Sequence, residues 1–367
     1  MRHVHAGGGL WAAPLLTAVT ALLLAGCSGL PTAREMGDMA LLRTLGVDAS
    51  PRGVAVTGST GPRARGLQGE GEPALTLAAD RASLSAACLA MQGQSDSYVF
   101  FGYVDQLLVG QSLAEEGIRP VLDYFSRDSS LGLGAQLWLV REGSAREALS
   151  AGGDQGIDAR LETLRNDSEM GIASLTRTAG ETYADLLELG CAYVPALSPG
   201  GEEGGRLIER GYGILKGDVL AGFLEGEEAR GLELLAGGPS ADLLEAELPG
   251  CRASVRIVSS HTKSRLVFQG EAPSALELTC KVEVRLAEYQ NPLSGGERKR
   301  LQGELEARER ARLEAVLTRL RAWGADCVGL GVKGGLLRPA QWQAVKEDWP
   351  EWFSQIPAEI RVEVMII

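Results

Sequence analysis

YVFFGYVDQLLVGQSLAEEGIRPVLDYFSRD, residues Tyr98 to Asp128, is the stretch that decides the fold class. Tyr98 to Tyr103 is a continuous apolar run, the composition of a strand covered on both faces. Leu107 to Gly110 is a second short strand, and Ser112 to Glu116 and Pro120 to Phe125 carry helical spacing. A third strand follows at Gln136 to Arg141, and Ser144 caps another short helix. Short apolar strands alternating with helices predict an α/β layer structure rather than a pure bundle or sandwich.

Working outward, PTAREMGDMALLRTLGVD (Pro31 to Asp48) reads as a short helix running into a strand at Gly53 to Gly58, with a loop to about Pro73. Asp80 is placed to cap a helix through Met91, in which Leu84, Cys88 and Met91 share one face. Helices are expected near Asp154 to Arg165 and Glu181 to Leu189, then a strand at Ala192 to Leu197. SPGGEEGGR (Ser198 to Arg206) reads as a linker, because glycine and charge leave nothing to bury. Beyond it come strands at Arg206 to Leu215 and Asp218 to Gly222 around a Lys216-Gly217 turn, and a helix around Glu225 to Leu235.

Alternation in Ser254 to Ser259, Ser264 to Gln269 and Leu276 to Leu286 marks three more strands. In the last, Leu276, Leu278, Cys280, Val282, Val284 and Leu286 face one side. The strongest helix is Glu297 to Trp323, with Leu301, Leu305, Leu313, Val316, Leu317, Leu320 and Trp323 on its core face. A buried run at Cys327 to Leu330, a helix from Pro339 to about Asp348 and a strand at Glu359 to Ile366 complete the chain. The expected fold class is therefore α/β (α+β), in several domains, each a mixed or antiparallel sheet with helices packed on it. The expected division is 1–26 as a leader, 27–197 as an N-terminal α/β domain, 198–206 as a linker and 207–367 as a C-terminal domain, itself divisible into 207–250 and 251–367.

The leader carries LLLAGC (Leu22 to Cys27): an apolar run, two small residues and a cysteine, the pattern of a bacterial lipoprotein signal. The apolar core Leu10 to Leu24 is too short and poorly flanked for a spanning helix. On this reading Cys27 becomes the acylated first residue, and its acyl chains hold the protein on the outer face of a membrane. Cleavage leaves 341 of the 367 residues, and because Arg2 is the only charged residue removed, the mature charge is −13. An acidic surface without a basic, aromatic-interleaved cluster excludes nucleic acid as a partner.

Catalytic equipment is sparse. Of three histidines only His261 outlasts the leader, in a stretch that reads as a surface turn between two strands. After Cys27 there remain Cys88, Cys191, Cys251, Cys280 and Cys327, with no CxxC pair; the apolar surroundings of Cys88, Cys191, Cys280 and Cys327 suit buried thiols, although a Cys251–Cys280 bridge is conceivable. No GxSxG, EF-hand or P-loop pattern occurs. LSGGE at Leu293 to Glu297 is like the signature loop of ABC ATPases, but no Gly-Lys pair exists to cradle phosphates, and Ser294 with Glu297 makes a capping box instead. Trp342, Trp349 and Trp352, with Phe353 beside them, read as a tryptophan-rich core contact. The residues offer no recognisable catalytic, cofactor or metal equipment.

The ordered set of segments resembles the C-subunit lipoproteins of spore germinant receptors, the Ger(x)C family. The resemblance rests on REMGDMALLRTLGVD (Arg34 to Asp48), the Tyr98 to Asp128 block, LWLVREGSAREAL (Leu137 to Leu149) and GYGILKGDVLAGFLEGEEARGLELL (Gly211 to Leu235). It ends on GADCVGLGVKGGLLRPAQWQAVKEDWPEWF (Gly324 to Phe353), through Asp326, Gly329, Gly331, Trp342 and Trp349. Two departures occur: Ser28-Gly29 stands where Trp-Asp often follows the lipid cysteine, and Tyr103 stands where histidine is common. The resemblance implies a non-enzymatic receptor subunit at the spore inner membrane, partnered by a large A subunit and a permease-like B subunit, with the small-molecule nutrient bound by the partner. The competing expectation is a solute-binding lipoprotein of an importer, which requires two similar α/β lobes around a cleft.

Overall fold

A computed structural model describes residues 39–62, 73–169, 174–200, 207–238, 243–248, 251–289 and 293–367. The leader, Cys27 and the Arg34-Glu35 element lie outside the described residues. The strands are β1 (Met39–Leu41), β2 (Thr44–Ser50), β3 (Gly53–Ser59), β4 (Thr76–Arg81), β5 (Tyr98–Phe100), β6 (Gln106–Gly110), β7 (Gln136–Val140), β8 (Cys191–Pro199), β9 (Leu207–Lys216), β10 (Val219–Leu224), β11 (Leu243–Leu248), β12 (Cys251–Gln269), β13 (Ala272–Tyr289) and β14 (Ala358–Ile366). The α-helices are α1 (Leu84–Gln92), α2 (Gln111–Glu116), α3 (Arg119–Arg127), α4 (Ala145–Ser150), α5 (Asp158–Glu169), α6 (Ala179–Glu188), α7 (Gly226–Ala236), α8 (Gly295–Trp323), α9 (Leu330–Gly335), α10 (Pro339–Val345) and α11 (Trp349–Gln355).

An eight-stranded sheet runs in the order β10-β9-β8-β7-β6-β2-β3-β4. Its centre, β2, β6, β7 and β8, is a parallel ladder, and antiparallel pairs extend it at both ends. The apolar runs of β6 and β7 follow from burial on both faces. Leu107, Val109, Leu137 and Leu139 enter one core with α1 and α3, whereas Leu108, Trp138 and Val140 enter another with α4 and α5. Inside the second core the Trp138 indole donates to Gln106 Oε1 at 2.8 Å, so its buried N–H has a partner.

A second, four-stranded sheet has the order β11-β12-β13-β14. β11, β12 and β13 pair antiparallel, and β14 returns parallel to β13 after the long crossover through α8 to α11. Its inner face, from Leu276 to Val284 on β13 with Val362 and Val364 on β14, packs against α7 and α8. The outer face is wet and charged: Arg265 makes a forked pair with Glu277 (2.8 and 3.0 Å), and Lys281 pairs with Glu363. At the sheet's rim, Val364 N donates to Glu306 Oε1 (3.2 Å) and Arg298 Nη2 to the Ile366 carbonyl (2.8 Å). The eight-stranded sheet and the four-stranded sheet are not the similar lobes of a solute-binding protein; β1 and β5 form a separate two-stranded pair.

α8 begins at the capping box Ser294/Glu297 and ends at Gly324 in the left-handed region (φ 60°), so the LSGGE run is a helix start. Its apolar face is buried as its spacing predicts, but Glu309 and Arg312 are buried with it. Arg312 bonds Glu309 Oε1 at 3.0 Å and reaches across to Glu227 Oε2 of α7 at 2.5 Å. The helices approach closely because Gly231 of α7 lies on the Arg312 carbonyl; a Cβ there would come within 2.4 Å of it.

Several expected elements are corrected. Thr44–Ser50 is a strand, not the end of a helix, and lies between β3 and β6. Asp80 belongs to β4, and Ser83 caps α1 instead, accepting from Ala86 N. The strand expected to reach Tyr103 stops at Phe100 and is not covered on both faces, since Tyr98 and Tyr103 are exposed and β5 lies outside the eight-stranded sheet; the helix expected from Pro339 to about Asp348 stops at Val345, and α11 begins separately at Trp349. Ser254 to Gln269 is one strand, so His261 stands mid-strand opposite Lys281 rather than in a turn. A bulge between Ile257 and Ser259 shifts the alternation, which is why the segment reads as two pieces. Cys280 carries a free thiol opposite Thr262, eleven residues along β12 from Cys251, and no bridge joins them. Of the expected linker, Ser198 and Pro199 end β8, and 201–206 lie outside the described residues; β8 and β9 on either side are adjacent strands whose register begins at Pro199↔Leu207.

Arg312→Ala should lower stability by about 3–5 kcal/mol, because it removes the buried Arg312–Glu309 ion pair from the helix crossing. Arg312→Met combined with Glu309→Leu should recover most of that loss. Urea unfolding followed by circular dichroism compares the two variants.

Candidate functional site

Asp326 is the centre of the segment that joins α8 to α11. The chain leaves α8 through Gly324 and turns at once, burying the Asp326 side chain to 5% exposure. A buried carboxylate requires donors, and three converge on it. Oδ1 accepts from Leu330 N, and Oδ2 accepts from Gly331 N and from the Trp349 indole, at 2.7, 2.7 and 2.8 Å. The carboxylate therefore sits on the amide end of α9 and ties it to Trp349 of α11. Burial raises its pKa, and the two amides and the indole oppose that shift.

The glycines around it are small for identifiable reasons. Gly329 opens α9 with φ 69°, a left-handed conformation. Gly331 lies under the Trp349 ring, where a Cβ would stand 2.3 Å from Cε2. Trp349 packs edge-on to Trp342 (centroids 5.4 Å apart) and against Phe353 (5.8 Å). Asp326, Gly329, Gly331, Trp342 and Trp349, read as one pattern in the sequence, thus form one cluster, and the tryptophans are core contacts rather than a ligand groove. Trp352, also partly buried, packs on the same core.

A cleft of about 290 Å³ opens beside this cluster, between α9 and the β8 end of the large sheet. Cys327, Val328, Gly329, Val332 and Lys333 form one wall, and Arg177, Asp185, Glu188, Leu189 and Tyr193 line the other. Arg177 is ion-paired with Asp185 and stacks over the Tyr193 ring at 4.7 Å. These groups suit polar recognition of a side chain or small charged group. Only Cys327 and Gly329 had been singled out; the charged lining comes from separate segments with no local motif to mark it.

The four described thiols, Cys88, Cys191, Cys280 and Cys327, are buried. Burial pushes Cys191 up to about 12 and Cys88 up to about 11, and raises Cys327 and Cys280 as well. His261 is exposed and its imidazole makes no hydrogen bond among the described residues, which also contain no group of three or more His, Cys, Asp or Glu arranged to hold a metal.

Two measurements test this arrangement. Asp326→Ala strands three buried donors and should cost about 3 kcal/mol or more, and Gly331→Ala about 2–3 kcal/mol through overlap with Trp349, both read as shifts in the thermal midpoint. Iodoacetamide at pH 8 should leave the peptides of Cys88, Cys191, Cys280 and Cys327 unmodified in the native protein and alkylate all four in urea, as mapped by mass spectrometry.

Comparison with known proteins covers most of this architecture. The family model described as the spore germination protein N-terminal domain matches residues 32–199, and that described as spore germination B3/GerAC like, C-terminal, matches residues 210–367. No curated protein matches the chain. Among solved structures, the crystal structure of the GerBC protein is similar, with 20% identity, a TM-score of 0.60, and coverage of 88% of this chain and 96% of that one. At that identity the likeness speaks for the fold, which is shared. With both family models matched in order over most of its length, the chain belongs to the Ger(x)C family of spore germination proteins.

Proposed function

We propose that this chain is the lipoprotein subunit of a nutrient germinant receptor, needed for spores to respond to nutrients and acting without catalysis of its own. The observation that carries the proposal is the match of both family domains, in order, across the mature chain. The lipid attached at Cys27 holds the body on the outer face of the spore inner membrane. No helix among the described residues is long and apolar enough to cross a bilayer. An acidic body confined near the surface meets the A subunit and the permease-like B subunit at high effective concentration, and its contribution is positioning. The nutrient is bound by the partner.

A strain lacking this gene, with no redundant paralogue, should lose germination in response to at least one class of amino acid or sugar, and a wild-type copy should restore it. Cys27→Ala should abolish the diacylglyceryl modification seen by mass spectrometry on the first mature peptide and should reduce germination at least tenfold. Full germination of the deletion strain with every nutrient would overturn the assignment.

A further inference from the structure

Between the buried Asp326 and Glu347, the chain carries Lys333, Arg338 and Lys346 and no carboxylate, in a protein of net charge −12. The same segment holds two neighbouring leucines that face water: Leu336 is 71% exposed and Leu337 is 76% exposed, with Val332 nearby at 38%. Their orientation is imposed by what precedes them. Gly334 is pressed on the β12 backbone, where a Cβ would stand 3.0 Å from Leu266 N, and Gly335 on Trp342, where a Cβ would stand 2.7 Å from Cγ. With the backbone held against the body at both glycines, the next two side chains point outward.

We propose that this projection, Lys333 to Arg338, is a membrane-contacting element that inserts Leu336 and Leu337 among the acyl chains of a bilayer containing anionic lipid. Exposed leucines flanked by cations match both layers of such a surface, hydrocarbon below and phosphate above. Charge complementarity decides between occupants. A second copy meeting the patch about a two-fold axis would bring Lys333 and Arg338 against their own equivalents. Glu188, which lines the cleft beside Lys333, and Glu347 bound the patch and limit its extent. The inference goes beyond the receptor assignment and does not require it.

The test uses the full-length chain, isolated with its lipid and reconstituted in vesicles. Leu337→Cys is labelled with the environment-sensitive fluorophore nitrobenzoxadiazole; Leu89→Cys, at an equally exposed leucine on α1 (75%), is the control, and the parent chain carried through the same labelling sets the background. In vesicles of phosphatidylcholine with roughly one-third phosphatidylglycerol, the emission at 337 should shift to the blue and rise about threefold over that in phosphatidylcholine alone, while that at 89 stays constant. Lys333→Glu with Arg338→Glu should abolish the rise. Emission at 337 that follows the control in anionic vesicles would overturn the proposal. So would a blue shift that grows with protein concentration in the absence of vesicles, which would assign the leucines to a second copy.

Discussion

One buried carboxylate fastens the C-terminal half of this protein. Asp326 stands where α8 stops, and everything between there and the last strand is a sequence of short helices with little helical stability of their own. Its two oxygens convert that segment into a fixed unit by holding the start of α9 and the indole of Trp349 together. The tryptophan then positions Trp342 and Phe353, and α11 delivers the chain to β14. Without these bonds, the parallel return of β14 beside β13 would depend on loosely tied pieces.

The same cluster shapes the surfaces on either side. The turn at Cys327 to Gly329 forms one wall of the charged cleft, and the backbone packed at Gly334 and Gly335 projects the leucine pair. Lys216 Nζ, donating to the Trp323 carbonyl at 2.8 Å, ties the end of α8 back to the β9–β10 turn of the large sheet. Packing, cleft and projection are thus consequences of one local arrangement rather than independent features.

Much of this was legible in the residues, for physical reasons that differ by element. β6 and β7 were readable because burial on both faces demands an unbroken apolar run, and α8 because its long apolar stripe begins at a capping box and ends at a glycine. β2 was not. Its TLGVDAS sequence contains Gly46, which lies close under α4 (a Cβ would stand 3.0 Å from Ala145 Cβ), and Asp48, whose carboxylate accepts from the Ala145 and Arg146 amides at the start of α4. Packing and capping there override the strand's own preferences. Glu309 and Arg312 were hidden because charges on a helix ordinarily signal its wet side, and here they complete one another inside a helix crossing. The Asp326 pattern was visible through the family resemblance, but the donors that explain it include main-chain amides, which no side-chain pattern displays.

The hydrogen-bonded ladder of the large sheet runs from β4 to β10, and the strands on either side of residues 201–206, β8 and β9, are neighbours within it. A pull on either edge is therefore distributed over the strands of one sheet, on both sides of the expected linker, rather than carried by a single covalent connection.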